Sequence, residues 1–380
     1  MKNTLTSGFA FVAAATLLTA CATQQNQNSV SRLSDSQTAK VDKAFEMFVG
    51  EIPGASVMIA KGDELLFCKG YGVANFETGA VVTCDTNFRI ASVSKQFTAL
   101  AILQLIDRGQ LTLETTLTDV FPDFPDYGKD VTIAHLLTHQ AGLVDYSNLR
   151  RNDGARMRGE DVLNHLFSLD ALDFPAGSKW SYSNTAYAIL PEIISEITEQ
   201  PFDEYMQENV FGPSGMTNTR YPFPLEAISN RAIGYTITGD DIEITDQTPL
   251  TSVMGDGSIY SSARDYFGWH KARVTSTLLS EKLNTAAHTV QPGTDGIYGF
   301  GWFTPSDYDP DFTFVEHGGS SEGFIAFSAW IPDEDISVVI FANQNLTDEN
   351  QFTVNLNQRA RYLLHIATDG RFDAPEGFRE

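Results

Sequence analysis

Ser92-Val93-Ser94-Lys95, followed by Phe97-Thr98-Ala99-Leu100-Ala101-Ile102-Leu103-Gln104-Leu105-Ile106, is the stretch that decides the fold. An apolar run of this length, stopped at Gly109 after Arg108, predicts a buried helix. Positions three apart share a helix face, so the Ser92 hydroxyl and the Lys95 amine are expected side by side at its mouth. A helix N-terminus adds unpaired N–H groups and a positive potential. A serine nucleophile needs a nearby base and donors aimed at developing negative charge, and this placement offers both. Alone the pattern is short, and a serine at a helix start is more often only an N-cap.

Two further motifs add weight. Tyr182-Ser183-Asn184 follows the turn Phe174-Pro175-Ala176-Gly177, and His317-Gly318-Gly319 follows the strand-like Phe312-Thr313-Phe314-Val315. The order S-x-x-K, Y-x-N, H-x-G at these separations resembles the serine hydrolases related to class C β-lactamases, which include D,D-peptidases, D-aminopeptidases and some esterases. Gly54-Ala55-Ser56-Val57, Phe88-Arg89-Ile90-Ala91, Leu136 to Leu143, Val210 to Met216, Tyr298 to Trp302 and Val338 to Asn343 look like landmarks of the same family. They run in family order over roughly residues 40 to 365. The resemblance implies a β-lactamase/transpeptidase-like α/β (α+β) fold: an antiparallel sheet flanked by helices, with a mainly helical lobe inserted.

The chemistry can be laid out residue by residue. Ser92 is the expected nucleophile, forming an acyl-enzyme. Lys95 and Tyr182 are both candidate bases; facing each other they would share one proton, so the pair is the unit. Asn184, with an amide donor and acceptor, is expected to hold Lys95 and to contact a substrate amide, or to cap the helix that follows. The resemblance places the oxyanion hole at the backbone N–H groups of Ser92 and Ser320. Gly318 and Gly319 suit a strand edge that a substrate backbone approaches closely.

His317 departs from the β-lactamases, which carry lysine there. Histidine is mostly neutral at pH 7, so strong binding of a penicillin carboxylate is not expected. The H-x-G form is more similar to the peptidase and esterase branches, and His317 is alternatively placed to polarise the Tyr182 network. Trp180, Tyr298 and Trp302 are candidates to line the cleft. His135 and His139 are four apart but lack the glutamate of a zinc-protease helix, so no metal is expected, and no cofactor is implied.

Composition narrows the partners. Forty-nine acidic against 25 basic residues give a net charge of −24, which repels nucleic acid. Lys2 and the apolar segment Gly8 to Leu18 read as an export leader over residues 1–20. Leu18-Thr19-Ala20-Cys21 resembles a lipoprotein box, with Cys21 lipidated and Ala22 directing the chain to the outer membrane, facing the periplasm. Cys68 and Cys84 then remain in an oxidising compartment; a bridge between them is allowed, worth about 3 kcal/mol, and the sequence leaves it open.

Along the chain, residues 21–38 read as a polar tether, 39–370 as the hydrolase domain and 371–380 as a tail. The domain divides into an α/β lobe over about 39–110 and 252–370 and a helical lobe over about 111–251. Strands are expected at Ala55–Ala60, Glu64–Lys69, Phe324–Ile331 and Ile336–Ala342, and a terminal helix from about Asn355 to Ala367. The function expected is a serine hydrolase acting on a small-molecule or peptide acyl donor. D,D-carboxypeptidase or D-aminopeptidase activity ranks first, esterase second and true β-lactamase third. A retired binding or scaffold lipoprotein is the alternative of another class, and the intact Ser92, Lys95 and Tyr182 argue against it. The sequence sets no oligomeric state.

Overall fold

The computed structural model describes residues 29–150, 155–305, 309, 311–346 and 349–378. The leader, Cys21 and the first part of the tether lie outside them.

Six strands form one antiparallel sheet: β1 (Val30–Ser31), β2 (Ala55–Lys61), β3 (Glu64–Tyr71), β4 (Val315–Ser321), β5 (Phe324–Ile331) and β6 (Ile336–Ala342). Their spatial order is β1-β3-β2-β6-β5-β4, so the two ends of the chain meet where β2 pairs with β6. Side chains alternate between faces along a strand. Val57, Ile59, Phe327, Ala329, Val338 and Ile340 pack on one face, beneath helix α1 (Asp35–Ala44) and helix α5 (Glu349–Ala367). Met58, Ala60, Ala326, Val339 and Phe341 point the other way, towards α2 (Lys95–Asp107) and α4 (Ala263–Val274). A sheet covered on both faces has no solvent side, which is why β5 and β6 read as nearly continuous apolar runs, each with one buried serine, Ser328 and Ser337.

The inserted lobe packs on α2. Its longest helix, α3 (Asn184–Thr198), is accompanied by Ile133–Leu137, Gly159–Phe167 and Phe202–Met206. Tyr235–Thr238 and Asp241–Ile244 form the expected hairpin around Gly239, which takes φ +64°. It gains a third, parallel strand, Gln344–Leu346, which the sequence reading lacked.

Two boundaries need correction. The tether was expected to run to residue 38, but Val30 and Ser31 pair with Cys68 and Phe67, and α1 starts at Asp35 behind a Ser34–Gln37 capping box. The segment after α5 was expected as a tail, yet Phe372 is fully buried and Phe378 stacks on Tyr362. Both segments carry too few apolar residues to show periodicity, and tertiary contact decides their state. Cys68 and Cys84 are joined by a disulfide with Cα atoms 5.8 Å apart.

Four histidines bear on stability. Burial pushes His270, His288 and His317 down to about 3, and His139 well below its ordinary value, so all four rings are neutral in the fold. The unfolded chain takes these protons near pH 6.5, whereas the folded chain does so only near 3 or below. The stability they contribute is therefore present above 6.5 and lost as pH falls towards 3. Glu316, pushed up to about 8 by burial, acts in the opposite direction over the same range. Urea unfolding is expected to show a net loss of a few kcal/mol between pH 7 and pH 5; an unchanged or raised midpoint at pH 5 would contradict the neutral-histidine core.

Candidate active site

Ser92 lies in a 3-10 turn, Ala91–Ser94, wedged between the short strand Phe88–Arg89 and α2. The preceding Ala91 holds φ +46°, a left-handed conformation that costs a non-glycine residue of order 1–3 kcal/mol. The sequence placed Ser92 at the helix mouth; the structure puts it one tight turn earlier, with Lys95 as the first residue of α2.

Lys95 is the centre of the constellation. It is fully buried, and its Nζ donates to Ser92 Oγ (3.2 Å), Asn184 Oδ1 (2.8 Å) and the Asp256 carbonyl (2.7 Å). Three acceptors match the three N–H bonds of an ammonium. The same Nζ lies 4.9 Å from the Tyr182 ring centre and 5.5 Å from that of Tyr187.

Tyr182 is 37% exposed and rests on the buried His139, ring centres 4.2 Å apart. His139 Nδ1 accepts the Ser183 N–H (3.0 Å), which fixes the loop carrying Tyr182. Asn184 opens α3 but does not cap it: the Ser183 hydroxyl accepts the Ala186 N–H (3.1 Å), freeing the Asn184 amide for Lys95.

The H-x-G motif was expected to follow a strand; it lies inside β4, at the sheet edge. Glu316 exchanges both backbone hydrogen bonds with Phe303 on the outer side of β4 (2.8 and 2.9 Å). Backbone groups alternate along a strand, so the N–H groups of Gly318 and Ser320 face outward as well, away from β5. Gly319 brings this edge against the nucleophile turn. A Cβ there would lie 2.6 Å from the Ile90 carbonyl and 2.8 Å from the Ser92 nitrogen. Only glycine permits that approach.

His317 is enclosed within the protein. It is 1% exposed, its Nδ1–H donates to the Gly318 carbonyl (2.6 Å), and its Nε2 accepts from the Tyr298 hydroxyl (3.2 Å). Both ring nitrogens are bonded within the protein, and the Tyr182 hydroxyl, which the alternative reading would have His317 polarise, is not one of their partners. Burial, with Lys95 nearby, keeps the ring neutral. Tyr298 and Trp302 are equally buried and belong to the packing rather than to the cleft, whereas Trp180 stays half-exposed. His135 Nδ1 accepts a backbone N–H from Thr132, and among the described residues no cluster suits a metal ion.

Two residues were missed by motif reading. Asp256 supplies the third acceptor for Lys95, and Tyr146 donates its hydroxyl to Asp256 Oδ2 (2.7 Å). The motif signal is absent because Asp256 meets Lys95 through a backbone carbonyl, which any residue could present.

Comparison with known proteins identifies the family and the fold. Residues 41–362 match the family model described as Beta-lactamase, and the chain belongs to that family, a superfamily of serine hydrolases. It is 28% identical over 337 residues to Protein flp of Staphylococcus aureus (strain N315), covering 83% of this chain and 65% of that one, so it spans less than two thirds of that relative. Among solved structures, the penicillin binding protein from Bacillus halodurans is 26% identical with a TM-score of 0.72, covering 86% of this chain and 99% of that one. D-amino acid amidase from Ochrobactrum anthropi SV3, complexed with D-phenylalanine, shares the fold at 20% identity with a TM-score of 0.76, covering 89% of this chain and 100% of that one.

Gly319→Ala tests the contact between β4 and the nucleophile turn. Moving that edge by a few tenths of an ångström or more is expected to slow Ser92 modification by a fluorophosphonate by about 10²-fold while the protein stays folded. An unchanged labelling rate would show that the approach is not required.

Proposed function

We propose that the protein hydrolyses an amide, peptide or ester through an acyl-enzyme on Ser92. The observation that carries this reading is the buried Lys95 donating to the Ser92 hydroxyl. Lys95 and Tyr182 act as one base that shares a single proton: with that proton on the Lys95 ammonium, the Tyr182 phenolate takes the Ser92 proton as Oγ attacks the substrate carbonyl. The N–H groups of Ser92 and Ser320 receive the oxyanion. Tyr182 returns the proton to the leaving group as its bond to the carbonyl breaks. Water then attacks the ester on Ser92, giving its proton to Tyr182, and Ser92 leaves with that proton.

The substrate class follows from His317. A neutral, buried ring at the position where a cation would meet a carboxylate favours donors without a free carboxylate beside the scissile bond. D-aminopeptidase-like amides and simple esters fit this better than a D,D-carboxypeptidase substrate or a penicillin. The amidase that shares the fold is named for D-amino acid amides, which makes those the first compounds to offer. We also read the chain as exported and lipidated at Cys21 on the strength of its leader; no helix among the described residues is long and apolar enough to cross a membrane.

Intact mass after incubation with a fluorophosphonate is expected to rise by one adduct, and Ser92→Ala is expected to show none. Hydrolysis of a D-amino acid amide or a p-nitrophenyl ester should fall at least about 10⁴-fold in that variant. Benzylpenicillin should leave no lasting adduct. A stable penicilloyl adduct on Ser92 would move the assignment to a penicillin-binding site, and rapid drug turnover to a β-lactamase. No turnover and no labelling would leave the retired scaffold.

A further inference from the structure

Two arginines are buried among the described residues, and they differ in what surrounds them. Arg89 leaves Nε and Nη1 unpartnered, but Asp246 and Glu322 lie near it and two carbonyls accept from its Nη2 (2.6 and 2.7 Å). Arg273, on α4, is 3% exposed, and its Nη2 donates to the Ser337 hydroxyl (3.2 Å). That hydroxyl donates in turn to His270 Nδ1 (2.7 Å), because the other ring nitrogen gives its proton to the Gly62 carbonyl (2.8 Å). Arg273 Nε and Nη1 have no hydrogen-bond partner among the described residues, and no carboxylate there pairs with the group. Burial pulls Arg273 down to about 10, which still leaves a cation at neutral pH. The influence acting against burial is the Tyr266 phenol, not an acid.

Three buried tryptophans enclose this cation. Its Cζ lies 5.5 Å from the ring centre of Trp269, 4.9 Å from that of Trp302 and 4.7 Å from that of Trp330. Aromatic faces attract a cation, but they accept N–H bonds far more weakly than an oxygen or a halide does. The indole N–H of Trp330 is also buried without a partner. Three donors in one cluster therefore lack acceptors: Arg273 Nε, Arg273 Nη1 and Trp330 Nε1. A cavity adjoins the guanidinium, walled by Gln96 and Leu100 of α2, Trp269 and Arg273 of α4, and His288 and Trp302. Its volume is about 10 Å³, room for one water-sized occupant.

Size and charge together select what belongs there. A water molecule could accept from Arg273 and donate to the enclosed Nε2 of His288, whose Nδ1–H is given to the Asn284 carbonyl (2.8 Å). It would leave the buried positive charge uncompensated, and an unpaired charge costs more than an unpaired ring nitrogen. Phosphate, sulfate and carboxylates bring charge but exceed a space of one water. A monatomic halide is close to water in size, accepts several N–H bonds at once and carries the missing negative charge.

We propose that Arg273, Trp330 and the adjoining cavity form a binding site for one halide ion, with chloride as its ordinary occupant, and that this ion is the counter-charge by which α4 and the Tyr298–Trp302 segment are locked against α2. The inference stands apart from the acyl-enzyme reading, since the ion takes no part in chemistry at Ser92. Its effect is on stability: the folded chain holds the ion and the unfolded chain does not.

The test is thermal unfolding of the full chain in sodium chloride or sodium bromide against sodium gluconate at matched ionic strength, with crystals grown in bromide and read by anomalous scattering. The wild type is expected to melt about 2–4 °C higher in either halide, with a response that saturates. Bromide is expected within hydrogen-bond reach of Arg273 Nε or Nη1. Arg273→Met replaces the cation by an apolar chain and is expected to lose the halide response. Trp330→Phe keeps an aromatic ring and the charge but removes one donor, and is expected to need about tenfold more halide for the same shift. A water at Arg273 with no bromide beside it would overturn the proposal. So would a shift that climbs linearly with salt, the mark of exclusion from the surface rather than of a site. An unaltered halide response in Arg273→Met would overturn it equally. Bromide at Arg273 with no effect on melting would be an adventitious ion only, and the proposal would fall with it. If Arg273→Met does not fold, the halide response of Trp330→Phe and the bromide position decide.

Discussion

A lysine ammonium with no exposed surface costs several kcal/mol of lost hydration unless every proton finds an acceptor. Lys95 meets that demand with a hydroxyl from the nucleophile turn, an amide from the start of α3 and a carbonyl from the turn at Asp256. No two of those acceptors share a segment of chain. The lobes must therefore dock in one arrangement for the charge to be satisfied, and in that arrangement Ser92, Tyr182 and Asn184 already surround the ammonium. The same contact that makes burial tolerable assembles the site.

The sheet supplies the other half of the geometry. β4 is an edge strand, paired on its outer side, among the described residues, at Glu316 with Phe303, so the two-residue alternation turns Gly318 and Ser320 towards open space. Unpaired strand edges invite aggregation unless they are covered or used. Here the edge is packed against Ile90 and Ser92 through Gly319, leaving its outward N–H groups beside the nucleophile. The glycine thus serves approach rather than flexibility: it needs no left-handed backbone, only the absence of a side chain.

Local features were legible in the sequence and relational ones were not. Ser92 and Lys95 declare themselves because their spacing fixes their relation, and β5 and β6 because an apolar run between turn residues has few other uses. Tyr182 and Asn184 could be named from their motif, but not the fact that Ser183 caps α3 and leaves the Asn184 amide to Lys95. Asp256 escaped because its contact with Lys95 is a backbone carbonyl. The burial of His317 depends on a hydroxyl from Tyr298 that reaches it only after the two segments pair through Phe303 and Glu316. The strands Val30–Ser31 and Gln344–Leu346 are too short for period-two alternation to register, and only their partners make them strands.

The electrostatics of the site and of the whole chain point the same way. A surface with net charge −24 presents a repulsive field to anions, softened by salt beyond about 8–10 Å but not removed within that range. An enzyme selecting a carboxylate-bearing donor from such a field would need a local cation to reverse it. The position suited to that role carries a histidine sealed under Tyr298 and held neutral by burial and by Lys95 itself. Lys95, the positive charge nearest the reaction, is enclosed by its own acceptors and directs its field at Ser92 and Tyr182. On the proposed acyl-enzyme reading, its charge serves the proton transfer and the incipient oxyanion, while donor recognition is left to the backbone edge of β4 and the exposed face of Tyr182. Under that reading those groups would meet an amide or ester by shape and hydrogen bonding, and an added carboxylate would gain nothing from them to offset its loss of water.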